Sequence, residues 1–163
     1  MQTTDPIALP LEWRVRAIGD FDHDGHDDVV LQNTDGSIAF WLMDGTNIRR
    51  GIIPYSIPPE WQIAAAGDFN HDGKSDLVLQ HSDGSVGFWL MDGTTIVEAS
   101  APYQIPTSWR IAAVGAFADE EDADIALQNL DGSIALWIMD GIQIRQGVIL
   151  LKIPTDWQIV GPR

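Results

Sequence analysis

Tryptophan recurs at positions 13, 61, 109 and 157, a fixed interval of 48 residues taken three times, and most of the chain repeats with it. Aligned without a gap, residues 13–60 and 61–108 are identical at 27 positions. The third unit, 109–156, keeps the frame and loses part of the polar chemistry. Units of this length are single supersecondary elements that cannot bury an apolar face alone, so they stack into solenoids, propellers or arrays. The repeat therefore constrains the fold before any local propensity does. Residues 1–12 and 157–163 read as partial repeat ends: IALPLE at 7–12 matches the unit ends YSIPPE and YQIPTS, and WQIVG at 157–161 opens a fourth unit. The whole span 1–163 is expected to form one assembly of repeats.

One unit reads as four short strands without a helix. Trp13 to Ile18 alternates loosely and ends at Gly19-Asp20, and Asp28 to Gln32 is rich in β-branched residues after an acidic loop. Asp35-Gly36 supplies a hairpin turn into Ser37 to Met43, and Asp44-Gly45 turns the chain into a fourth strand from Ile48 to Ile53. Pro54 and Pro58 are expected to close the unit, since proline cannot serve a central ladder. Along the third strand Ile38, Phe40 and Leu42 alternate with Ala39, Trp41 and Met43, so both faces are apolar and both need cover. Face-to-face packing of four-stranded antiparallel blades around an axis provides it. The expected class is all-β, a β-propeller with three blades per chain. A solenoid coil is usually much shorter than 48 residues. Propellers close with four to eight blades, so three are expected to become six by homodimerisation about a twofold axis, unless the chain is a piece of a longer propeller.

The charge is −15, and 13 of the 24 acidic side chains fall in the windows 20–28, 68–76 and 119–124. Such a surface repels nucleic acid and anionic lipid, and no apolar run approaches the ~20 residues of a membrane span. Cysteine is absent, so redox compartment is unreadable. The first residues, MQTTDPIALPLEW, lack the basic and apolar segments of a signal peptide.

Clustered carboxylates suggest a cation instead. The first loop runs Asp20, Asp22, Asp24, Gly25, His26, Asp28 at alternate or turn positions, and the second runs Asp68, Asn70, Asp72, Gly73, Lys74, Asp76. Both fit D-x-[DN]-x-D-G-x-x-D. Oxygens at positions 1, 3 and 5 can wrap a hard ion, the glycine allows the turn, and position 7 (His26, Lys74) offers a backbone carbonyl. The aspartate at position 9 completes the shell. An EF-hand would need Glu at position 12, where Leu31 and Leu79 stand. Calcium suits a flexible, oxygen-rich loop better than magnesium does. With four carboxylates against three and an amide, the first loop is expected to bind more tightly. The third loop has Ala116 and Ala118 at positions 1 and 3 and Glu121 in place of the turn glycine, so no specific site is expected there.

GDFDHDGHDD and GDFNHDGKSD resemble the calcium-loop half of FG-GAP (VCBS-type) repeats of integrin-like β-propellers. The Phe-Gly and Gly-Ala-Pro signatures of the integrin form are missing; WLMDG stands in the hairpin, similar to bacterial versions. The resemblance spans about residues 7–161. It implies one blade per repeat, calcium between the first two strands and an extracellular or cell-surface setting, but no single function.

Three functional classes follow. The first is a non-enzymatic binding or scaffold module with structural calcium. The second is a lectin, as in fungal proteins resembling this family, with tryptophans stacking on sugar rings; yet all seven tryptophans read more readily as core or inter-blade packing. The third is a hydrolase, for which the clustered acids would have to be catalytic, although the loops already account for nearly all of them. His23, His26, His71 and His81 lack metal-binding spacing and read as solvated loop residues. Self-association and a glycan or protein ligand are the expected partners.

Overall fold

The computed structural model describes residues 9–118 and 122–161. The first unit folds as β1 (Trp13–Gly19), β2 (Asp28–Asn33), β3 (Ser37–Asp44) and β4 (Asn47–Ser56). The second contributes β5 (Trp61–Gly67), β6 (Asp76–His81), β7 (Ser85–Asp92) and β8 (Thr95–Gln104). The third contributes β9 (Trp109–Gly115), β10 (Asp124–Asn129), β11 (Ser133–Asp140) and β12 (Gln143–Lys152). Each quartet is its own antiparallel sheet with strands in chain order. No sheet closes on itself.

The turns explain the order. At the β2–β3 hairpin Asp35 accepts the Ser37 amide at 2.8 Å while Gly36 takes φ +91°, a left-handed conformation that favours glycine. The chain leaving β4 returns across that same turn, where the Ile57 amide donates to the Gly36 carbonyl at 3.0 Å. It then enters the first strand of the next sheet. The second and third units repeat the contact through Ile105 and Ile153.

The fourth strand corrects one expectation. Pro54 does not end the unit: β4 runs through it to Ser56. Ile38 pairs with Tyr55 and Phe40 with Ile52, leaving Ile53 and Pro54 opposite Ala39 alone. A bulge on an edge strand asks for no amide from proline, so the ladder resumes beyond it.

Strand β1 lies beside β5, and β5 beside β9, so the first strands form one inner row. Side chains alternate between faces along each strand. Val30, Ile38 and Phe40 of the first sheet meet Ile63, Leu77, Leu79 and Met91 of the second. Val78, Val86 and Phe88 from the opposite face of the second sheet meet Ile111, Val114, Ile125 and Met139 of the third. The middle sheet is thus covered on both faces, as the pattern of β3 and its copies requires. The outer face of the first sheet is not. Val15 is 41% exposed, whereas its counterparts Ile63 and Ile111 are 1% and 6% exposed.

The tryptophans divide more finely than the sequence suggested. Trp13, Trp41, Trp61, Trp89, Trp109 and Trp137 are half-buried, and Trp157 is 66% exposed. Residues 157–161 form no strand, so no sheet closes over the last ring.

Candidate metal centre

The first acidic loop joins β1 to β2. Asp20 folds it: its Oδ2 accepts the Gly25 amide at 2.9 Å and its Oδ1 the Asp24 amide at 3.2 Å. Asp24 accepts the His26 amide at 2.9 Å. Gly25 sits at φ +87° at the sharpest point of the turn, as the sequence position requires. The second loop repeats the design with Asp68 accepting Gly73 at 2.8 Å and Asp72 accepting Lys74 at 2.9 Å.

This wrapping brings Asp20, Asp22 and Asp28 together, with one carboxylate oxygen of each lying within 4.8 Å of the others. The Oδ1 of Asp22 is buried and accepts no hydrogen bond. A buried acceptor without a donor, beside two further carboxylates, is what a cation would satisfy. Asp24 lies next to this trio and pairs with Arg49 at 3.3 Å; Arg49 also pairs with Asp22. In the second loop the described side chains form no equal trio. Asn70 replaces the central carboxylate, accepting the Asp72 amide at 3.1 Å and donating to Asp72 Oδ2 at 3.3 Å.

At position 7 the side chains turn outward. His26 Nε2 lies 3.8 Å from Asp44, and Lys74 Nζ lies 2.5 Å from Asp92, both at the ends of third strands. Both side chains are thereby engaged outside the loop.

The ninth-position aspartates carry a duty that sequence reasoning missed. Asp28 is fully buried and accepts Phe21 N at 3.1 Å and Met43 N at 2.8 Å, tying the loop to β3. Asp76 does the same with Phe69 and Met91, both at 2.8 Å. Asp124 repeats the bracket with Phe117, Ala118 and Met139, although its loop lacks the other ligands. That persistence was the available signal: this loop acid keeps its frame position in all three units. Each carboxylate oxygen has a second lone pair, so the bracket leaves Asp28 able to face an ion as well.

Burial raises the pKa of Asp28, and it raises that of Asp76 to about 6, against the lowering effect of the backbone hydrogen bonds. Nearby Asp22 and Asp24 add repulsion at Asp28, as Asp72 and Asp68 do at Asp76. A divalent ion among these acids would supply further opposite charge, beyond that of Arg49 beside Asp22 and Asp24.

Two of the loop histidines are not merely solvated. His23 and His71 adopt φ near +60°, rare outside glycine. His23 Nδ1 lies 2.6 Å from the Gly73 carbonyl, and His71 Nε2 lies 2.5 Å from Asp122. Each loop therefore grips the next. Asp119, Glu120 and Glu121 of the third loop, including the expected loss of the turn glycine, lie outside the described residues.

Beyond the loops, each unit carries a cleft between its two tryptophans. The pairs Trp13 and Trp41, Trp61 and Trp89, and Trp109 and Trp137 line cavities of about 520, 340 and 290 Å³. A more polar cleft of about 420 Å³ lies beside the inner strands, with Glu60, Gln62 and Gln80 among its walls.

The family described as FG-GAP-like repeat matches residues 20–79, from the first aspartate of the first loop to β6. The match supports an FG-GAP-like repeat over that stretch. Over 91% of this chain and 78% of the other, the fold aligns with the crystal structure of the computationally designed Ika4 protein, at 19% identity and a TM-score of 0.37. No curated protein matches the chain.

Proposed function

We propose that the chain is a calcium-stabilised, non-enzymatic scaffold module, built as an arc of β-propeller blades that acts outside the cell. The observation that carries this reading is the Asp20, Asp22 and Asp28 trio together with the buried Asp22 oxygen that accepts no hydrogen bond. Asp24 and the His26 carbonyl complete a first shell, and Asp68, Asn70, Asp72, Asp76 and the Lys74 carbonyl form its counterpart. Bound calcium would neutralise carboxylates that otherwise repel, and binding only the folded chain stabilises it by mass action, by about 2.7 kcal/mol at a hundredfold excess over Kd.

The exposed outer face of the first sheet supports self-association. Val15 and Ile18 lie in water, whereas in the middle unit Ile63 is buried and Ala66 is partly buried against the first sheet, and a second copy presenting a third sheet would cover them and extend the arc towards six blades. Scanning calorimetry with and without calcium tests the cation, and native mass spectrometry tests the assembly. A melting temperature that ignores millimolar calcium sinks the first element; a monomer at all concentrations sinks the second.

The repeated two-tryptophan clefts favour one alternative, a carbohydrate-binding module in which paired indoles stack on sugar rings. Retention on immobilised glycans that is lost in Trp61→Ala and Trp89→Ala variants would select it over the plain scaffold.

A further inference from the structure

The two acidic loops differ in an element that the loop sequences themselves do not contain. The register between third and fourth strands shifts a second time near the β3–β4 turn and its copy: Met43 pairs with Ile48 but Leu42 with Arg50, and Met91 pairs with Ile96 but Leu90 with Glu98. The unpaired residue at that bulge is Arg49 in the first unit and Val97 in the second. Bulges re-aim a side chain off the ladder. Here the re-aimed guanidinium reaches Asp22 and Asp24, two of the carboxylates in the first loop.

We propose that Arg49 is a resident competitor for the divalent cation at the first loop, one that a binding ion must displace from Asp22 and Asp24. The inference rests on the cation reading above and adds a regulator to it. Charge counting shows its scale. The first loop has four carboxylates at its ligand positions and the second has three beside an amide. One guanidinium brings the ligand carboxylates of the first to a net −3, the same as those of the second, whose Lys74 is paired with Asp92 outside the loop. The advantage expected for the first loop from its extra carboxylate is thereby cancelled. Arg49 holds its charge at any accessible pH and its planar fork fits carboxylates, so it competes as a fixed cation and not as a titrating one. Being half-exposed, it can swing into water when an ion arrives.

The test is calcium titration calorimetry of the first loop alone, in a background where Asp68→Asn and Asp72→Asn silence the second. Arg49→Val, which copies Val97, is expected to tighten binding about three- to tenfold at low salt, with the gain shrinking in high salt. Arg49→Lys is expected to keep the affinity close to that of the parent. The reciprocal Val97→Arg, read with Asp20→Asn and Asp22→Asn silencing the first loop, is expected to weaken the second site. Calcium uptake that Arg49→Val leaves unchanged or weakens overturns the competitor role while leaving the cation reading intact. No uptake at either loop in any variant overturns both.

Discussion

The side-chain amide of Gln32 clamps the backbone of Trp61 in the next sheet: its Nε2 donates to the Trp61 carbonyl at 2.8 Å, and its Oε1 accepts the Ile63 amide at 3.1 Å. Gln80 does the same to Trp109 and Ile111, and Gln128 to Trp157 and Ile159. The side-chain amides of Gln32 and Gln80 thus set the spacing between neighbouring sheets by satisfying a donor and an acceptor on the adjoining inner strand, and Gln128 holds the segment after β12 in the same way.

Gln32→Ala should cost about 1–3 kcal/mol, because it leaves two backbone groups of the second sheet without partners in a buried seam. The urea midpoint checks this. An unchanged midpoint with an unchanged slope would mean that water enters the seam freely.

The tyrosines form a second clamp at the outer strands. Tyr55 Oη donates to the Thr94 carbonyl at 2.8 Å and accepts the Ile96 amide at 3.0 Å, and Tyr103 repeats this with Ile142 and Ile144. Tyr103→Phe keeps the ring packing on Phe88 and Trp137 and removes only the hydroxyl. A loss of about 1 kcal/mol is expected, with hydrogen exchange at the Ile144 amide speeding up before exchange elsewhere in the third sheet. Protection unchanged at Ile144 would refute the clamp.

The ninth-position bracket separates structural from cation-dependent roles. Asp124→Ala removes the acceptor of the Phe117, Ala118 and Met139 amides, so it should lower the melting temperature even in chelator. Asp22→Asn should leave the chelator melt nearly unchanged and only shrink the calcium-induced rise, because the second loop keeps its own ligand positions with Asn70 at this place. If Asp22→Asn melts early in chelator too, the orphaned oxygen has a structural partner instead of an ion.

Acid sensitivity should come from the hairpin turns. The Ser85 amide, assisted by the Ser85 hydroxyl and His81, holds Asp83 down at about 2, and the Ser133 amide, with the Ser133 hydroxyl and Lys152, holds Asp131 at about 2. Both lie below the ordinary value of 3.8. A carboxyl whose folded pKa is depressed contributes stability that is present above the unfolded pKa and lost as pH falls through the folded one. Stability should therefore decline between about pH 4 and pH 2. In the Asp83→Asn, Asp131→Asn double variant that decline should be shallower, as read by circular dichroism melts across this window. Equal slopes in parent and variant would place the acid response elsewhere.

Much of the architecture was legible because it is local and repeated. A strand period of two on either side of Asp-Gly turns gives sheets of four, and apolar residues on both faces of β3 require neighbours on both sides. Pro54 misled because an edge-strand bulge hides in a sequence that otherwise reads as a terminator. The acidic loops were legible as oxygen-rich turns around Gly25 and Gly73. The duties of His23, Gln32 and Asp28 were not, since each is defined by a partner elsewhere: Gly73, Trp61, and Phe21 with Met43.

The sequence by itself determined the unit, its strands, its turns and the oxygen-rich make-up of its loops, because those depend on neighbours a few residues apart. Only the tertiary structure decided how the units grip one another and which carboxylates share a centre. A 48-residue repeat says that residues 22 and 70 are equivalent, but not that a bulge in β4 aims Arg49 at the first loop while its counterpart Val97 brings no charge to the second. That difference depends on contacts between strands, and such contacts exist only after the sheet has formed.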